Sequence, residues 1–185
     1  MHILAARRYV SPRTRPLSLQ EQETRRLAYA IKSITSPSAD FDAAAREMAA
    51  LITGPCWLVP IPDSHGNTDA NTRLAHHIAR YVNARACGYP AIATETAQVA
   101  KAIIRTAPIQ SQCERHRLAL GPITAEAHHF KRTPKALTLR QTYLVDNVTT
   151  SGHTLQAAHD ALGFGIGLVF ADAANHRTQL HATLF

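Results

Sequence analysis

Asp146-Asn147-Val148-Thr149-Thr150-Ser151-Gly152-His153-Thr154 places a carboxylate, an amide and several hydroxyls within one short stretch. Asp146 and Asn147 can accept hydrogen bonds from vicinal hydroxyls, such as those of a sugar ring. Thr150, Ser151 and Thr154 offer hydroxyls, and Gly152 lets the backbone approach a ligand closely. A helix starting here would present unpaired N–H groups and the positive end of its dipole, which together form an anion site. The set suits a sugar phosphate. It also reads as an ordinary strand-to-helix turn with Ser/Thr caps, but the apolar run before it and the acidic position favour phosphate binding.

The elements that must position this turn follow from hydrophobic patterning. Gln141 to Asp146 reads as a strand, and His153 to Leu162 as the helix after the turn. Cys56 to Ile61 is a short apolar run, read as a buried strand, followed by a polar loop from Pro62 to Thr68. Asp69 to Arg85 is helical, with Leu74, Ile78 and Val82 four apart, and Gly165 to Ala171 is a last buried strand. Upstream, Ser18 to Ile34 forms a helix with Ser18 and Glu21 as a capping box, and Asp40 caps a second helix to about Ile52. Pro90 to Thr94 reads as a further strand, and 97–133, basic and poor in strand signal, as helical pieces around a mobile loop. Strands that alternate with helices and are apolar on both faces imply an α/β fold, a Rossmann-like parallel sheet flanked by helices.

Four apolar positions, an acidic residue and the T-S-G-x-T turn resemble the signature with which type I phosphoribosyltransferases bind phosphoribosyl pyrophosphate (PRPP). Trp57-Leu58-Val59-Pro60-Ile61-Pro62 resembles the first core strand of the ComF-like, competence-associated branch, and Ala28-Tyr29-Ala30-Ile31-Lys32 its upstream helix. Arg105-Thr106, Gln110-Ser111 and Glu114 to Arg117, closing at Phe130, resemble its hood with imperfect spacing. No counterpart of that branch's N-terminal four-cysteine zinc ribbon is read, so the expectation covers the core alone. The resemblance implies a type I phosphoribosyltransferase core over 54–185 with a hood at about 97–133. A basic arm and two helices over 1–53 would pack on that core.

The resemblance also implies roles. Asp146 and Asn147 would hold the ribose hydroxyls, and Thr150, Ser151, Gly152, His153 and Thr154 the 5′-phosphate. Asp63, Ser64 and Lys101 would contact pyrophosphate, and Arg105 would neutralise its departing charge. Mg²⁺ would be the cofactor, reached by Asp146 through the ribose hydroxyls or water. PRPP and a base or amine would be the substrates. Asn147 stands where the family usually carries a second acidic residue, and an amide adds no negative charge. This departure keeps open a regulatory or DNA-uptake-associated module that binds PRPP or a nucleotide without turnover. Each residue also has a plainer reading: a solvated basic face for Lys101, Arg105 and Arg115 to Arg117, an Asp-Ser turn for Asp63 and Ser64, a helix start for His153, and a helix-surface charge for Lys32.

Composition bounds the rest. The net charge of +7 suits an anionic partner, either a phosphorylated small molecule or nucleic acid contacted through the basic surface. Three scattered cysteines without C-x-x-C spacing argue against a disulfide framework and fit a reducing cytoplasm. No apolar run reaches the length of a membrane span, and Met1 to Pro16 reads as a basic arm, not a signal peptide. Of the eleven histidines only His76-His77 and His128-His129 are adjacent, which disfavours a metal site. No Ser-His-Asp or Cys-His arrangement is argued from spacing. A homodimer is compatible with all of this.

Overall fold

The structure, a computed structural model, describes residues 1–11, 15–86, 97–110, 118, 123–138 and 140–173. Its order is β1 (Ile3–Arg8), α1 (Leu19–Ala30), α2 (Ser38–Ala49), β2 (Cys56–Pro60), α3 (Asp69–Ala86), β3 (Ala97–Val99), β4 (Ile103–Arg105), β5 (Phe130–Arg132), β6 (Gln141–Thr149), α4 (His153–Leu162) and β7 (Ile166–Asp172). Five strands form one parallel sheet in the order β1-β7-β6-β2-β3. β4 and β5 pair antiparallel beside it.

Strand residues alternate between two cores, as a pleat buried on both sides requires. Leu58, Val145, Leu168 and Phe170 pack with α1, α2 and α3, whereas Val59, Leu144 and Val169 pack with α4 and Ile103. The connections set the site. From β2 the chain crosses through α3 to β3, and from β6 it crosses through α4 in the opposite direction to β7. Helices leaving neighbouring strands in opposite directions open a crevice at the strands' carboxyl ends, between β2 and β6. The last bond between the β2 and β6 chains runs from the Ile61 amide to the Val145 carbonyl at 3.0 Å, and β6 continues beside β7 alone. Beyond that bond the crevice opens beside Asp146.

Several expectations are corrected. Ile3–Arg8, read within a basic arm, is an edge strand paired with β7. Its signal is weak because only its first two residues are fully buried. Arg7 faces inward: it donates to Glu47 at 2.8 and 2.6 Å and lies 5.4 Å from the Phe170 ring centroid. The second helix begins at Ser38 rather than with Asp40 as its cap, and the Asp40 carboxylate instead accepts from Arg26 at 2.8 Å. Within 97–133 the described residues form three short strands and a 3₁₀ turn at Ala125–Ala127, not helical pieces. Three-residue strands carry no readable period. The edge of β3 is closed by a side chain, because Asn83 accepts from the Ala97 amide at 2.7 Å and donates to its carbonyl at 3.2 Å. The capping box of Ser18 and Glu21 is present. Pro90 to Thr94 and Arg115 to Arg117 lie outside the described residues. Among the described residues, no helix is long and apolar enough to cross a membrane.

Candidate functional site

A cleft of about 350 Å³ opens at the carboxyl ends of β2 and β6. Asp146 and Asn147 form its floor, and Asp63, Ser64, Arg105, His128 and Thr154 are among the residues of its sides. Asp146 keeps a partly exposed edge, yet enough protein surrounds it that desolvation raises its pKa above the ordinary carboxylate value. Hydrogen bonds from Asn147 and Asn71, and the nearby charges of Lys32 and Arg105, oppose that rise. Both bonds converge on one oxygen: Oδ1 accepts from the Asn147 amide at 2.8 Å and from Asn71 Nδ2 at 3.2 Å. Oδ2 has no partner among the described residues and is left to the cleft.

The turn after β6 leaves its amides without partners among the described residues. Gly152 adopts φ 78°, a left-handed conformation that a side chain resists, and α4 starts at His153 with no side chain capping it. None of the amides of residues 150–154 donates to a protein acceptor among the described residues. Thr154 lines the cleft, while Ser151 is exposed. Thr150 lines a smaller adjoining cavity with Tyr9, Tyr29 and Lys32. His153 does not face the cleft: its Nδ1 lies 2.6 Å from the Ile123 carbonyl and ties the turn to the segment above it. Lys101 is exposed and outside the cleft lining.

Arg105 is held against the Asp63 loop, where its Nε donates to the Asp63 carbonyl at 2.6 Å. Its guanidinium stacks 4.3 Å from the Phe130 ring centroid, and one buried nitrogen, Nη1, has no partner among the described residues. Burial lowers the Arg105 pKa, opposed by Asp63 and Asp146. Asp63 spends its own Oδ1 within the loop, accepting from the amides of His65 and Asn67, both at 2.9 Å. The Ile109 amide donates to the Ser64 carbonyl at 2.9 Å, which holds the chain after β4 over this loop.

Three site residues were passed over in the sequence. Asn71 donates to the Ile61 carbonyl at 2.8 Å as well as to Asp146, and its Oδ1 is buried without a partner among the described residues. A signal existed: it sits on the buried stripe of α3 with Leu74 and Ile78, where a polar residue needs a reason. Lys32, read as a surface charge, lines the cleft. His128 Nδ1 lies 3.2 Å from Arg105 Nη2, and since a guanidinium only donates, that nitrogen is the acceptor. Nε2 therefore carries the proton and faces Thr154 Oγ1 at 3.5 Å.

Burial, reinforced by the charges of Arg105, His153 and His129, pushes the His128 pKa down to about 4. Its unfolded value is near 6.5, so the unfolded chain binds a proton first as pH falls. The stability that neutral His128 contributes is complete above about 6.5 and is lost progressively towards about 4. Denaturant melts of wild type and His128→Gln at pH 7 and 4.5 should show wild type losing about 2 kcal/mol more on acidification. Parallel losses in the two proteins would contradict the neutral assignment.

The fold and site together define an α/β protein with a parallel sheet and a polar, partly cationic cleft at its topological switch point. No protein-family model matches the chain, and no curated protein matches it.

Proposed function

We propose that this chain has the type I phosphoribosyltransferase fold, binds PRPP in the cleft and transfers its ribose 5-phosphate to a nitrogenous base or amine. The bond from the anomeric carbon to the pyrophosphate oxygen breaks, a carbon–nitrogen bond forms, and the acceptor nitrogen loses a proton. The observation that carries this reading is the pairing of unpartnered amides at the start of α4 with the free Asp146 Oδ2 on the cleft floor. The amides suit the 5′-phosphate, and Oδ2 and Asn71 suit the ribose hydroxyls. Arg105, with its idle buried nitrogen, suits the pyrophosphate that must leave with its charge neutralised. A cleft of about 350 Å³ is within the range of small-ligand sites.

The described residues gather no cluster of three metal-ligating side chains, but Mg²⁺ is commonly held by one carboxylate and substrate phosphates. Asp146 would hold it through water, and the ion would stabilise the charge on departing pyrophosphate. Calorimetry with PRPP and Mg²⁺, followed by pyrophosphate release assayed over a panel of bases and amines, tests the reading. Binding with release supports transfer; no binding rejects it.

One observation favours a second reading, a PRPP- or nucleotide-binding regulatory module. Asn147 Oδ1 accepts from the Val148 amide at 2.7 Å, so the side chain offers the cleft a neutral NH₂ group and no second carboxylate. Asn147→Asp should then raise turnover, because a carboxylate stabilises the positive ribosyl centre better than an amide. Tenfold corresponds to about 1.4 kcal/mol of barrier. Faster pyrophosphate release by the variant identifies Asn147 as the brake. An unchanged rate above background makes the asparagine a working residue.

A further inference from the structure

A second constellation lies away from the cleft, between α2 and α3. Ser38 Oγ is 3.5 Å from His77 Nε2, and His77 Nδ1 is 3.1 Å from Asp42 Oδ1. The two nitrogens thus face a hydroxyl and a carboxylate in the order a nucleophile, base and orienting acid require. Ser38 and Asp42 are one helical turn apart on α2, and His77 reaches between them from α3. The second Asp42 oxygen accepts from Tyr81 at 2.6 Å, and the His77 ring stacks on Phe41 with centroids 5.9 Å apart. Hydrogen bonds from Tyr81 and His77 lower the Asp42 pKa, so the group is a carboxylate that only accepts. This assigns the proton to Nδ1 and leaves Nε2 free to take one from Ser38.

The surroundings fit a reaction site. Ser38 is exposed, and His77 is buried except for the edge that borders a cavity of about 440 Å³. Ser38 opens α2, no side chain caps that helix, and the amides of Ser38 and Ala39 donate to nothing among the described residues. Such amides beside the nucleophile can receive a developing oxyanion. Arg73 donates to the carbonyls of Ile34 and Ser36 at 2.6 and 2.9 Å, tying the turn before Ser38 to α3, and Ile34 of that turn lines the cavity. Arg73 and Arg80 line the cavity together with Asp69, and Arg80, largely exposed, lies 3.9 Å from Asp42 Oδ1.

We propose that Ser38, His77 and Asp42 form a hydrolytic site for small carboxylic esters that carry a negative charge. Ser38 Oγ attacks the carbonyl carbon as its proton passes to His77 Nε2. The alcohol leaves with that proton, and water, deprotonated by the same histidine, releases the acid and restores Ser38. Tyr81 is a positioning residue.

The full-length protein is treated with a fluorophosphonate and digested for mass analysis, and hydrolysis of p-nitrophenyl acetate and p-nitrophenyl succinate is measured. The site predicts a single adduct on Ser38 and faster turnover of the succinate ester. Ser38→Ala and His77→Gln should each lose hydrolysis on the order of 10²-fold or more. Ser38→Ala, at an exposed position, should keep the wild-type melting temperature and PRPP affinity, which separates this site from the cleft. No adduct on folded wild type, an adduct on another residue, or equal hydrolysis by Ser38→Ala overturns the proposal. Equal turnover of the two esters overturns the charge preference.

Discussion

Arg105→Ala is expected to lower kcat/KM for PRPP on the order of 10²- to 10³-fold, the usual consequence of losing a preorganised donor to developing charge. The guanidinium is held on three sides, by the Asp63 carbonyl, His128 Nδ1 and the face of Phe130. Its Nη1 is nonetheless buried with no acceptor among the described residues. Leaving a buried charged donor idle is unfavourable unless something fills the position, so the free protein carries a cost that an anion would relieve. Arg105→Lys should recover little of the loss. An ammonium cannot keep the fork to Asp63 and His128 while also presenting a donor to the cleft. The measurement is steady-state pyrophosphate release, with pyrophosphate inhibition as a second readout. If Arg105→Ala keeps its affinity for pyrophosphate, the guanidinium holds the wall and does not touch the ligand.

Asp146→Asn should weaken PRPP binding by about 5- to 150-fold while making the protein more stable at neutral pH. Both internal hydrogen bonds end on Oδ1, and an asparagine carbonyl can accept both. The fold is therefore preserved, and the change falls on Oδ2, where an NH₂ would meet the ribose hydroxyls. Loss of a charged acceptor costs roughly 1–3 kcal/mol of binding. The stability gain follows from the raised pKa. Asp146 is most at ease protonated, so its favourable contribution is present below the unfolded value of 3.8 and is lost as pH rises through the higher folded value. At pH 7 the wild type carries a desolvated carboxylate and the variant does not. Thermal melts should place the variant above wild type at pH 7, with the gap closing as pH falls towards 3.8. Equal PRPP affinity in the two proteins would remove Asp146 from the site. A variant less stable at pH 7 would mean that the carboxylate is stabilised by its surroundings.

How much of this was legible in the sequence depended on whether the information was local. The β6 strand, its turn and α4 could be placed because an apolar run, a glycine and an amphipathic stretch follow one another within about twenty residues. The capping box of α1 was legible for the same reason. Strand β1 was not, because its partner β7 lies at the other end of the described chain and its own signal is two buried residues. Strands β3, β4 and β5 were not, because three residues cannot display a period. His128 acquires its meaning only when β4 and β5 pair and set Arg105 beside it. Ser38, Asp42 and His77 were equally hidden. Separations of 35 and 39 residues carry no spacing rule, and the packing of α2 on α3 alone brings them together.

The most direct test of the central claim is a crystal structure of the protein with PRPP and Mg²⁺. The 5′-phosphate is expected within hydrogen-bonding distance of the amides of residues 150–154, the ribose hydroxyls on Asp146 Oδ2, and the pyrophosphate on Arg105. PRPP bound elsewhere, or a turn at 150–154 left empty under saturating ligand, would contradict it.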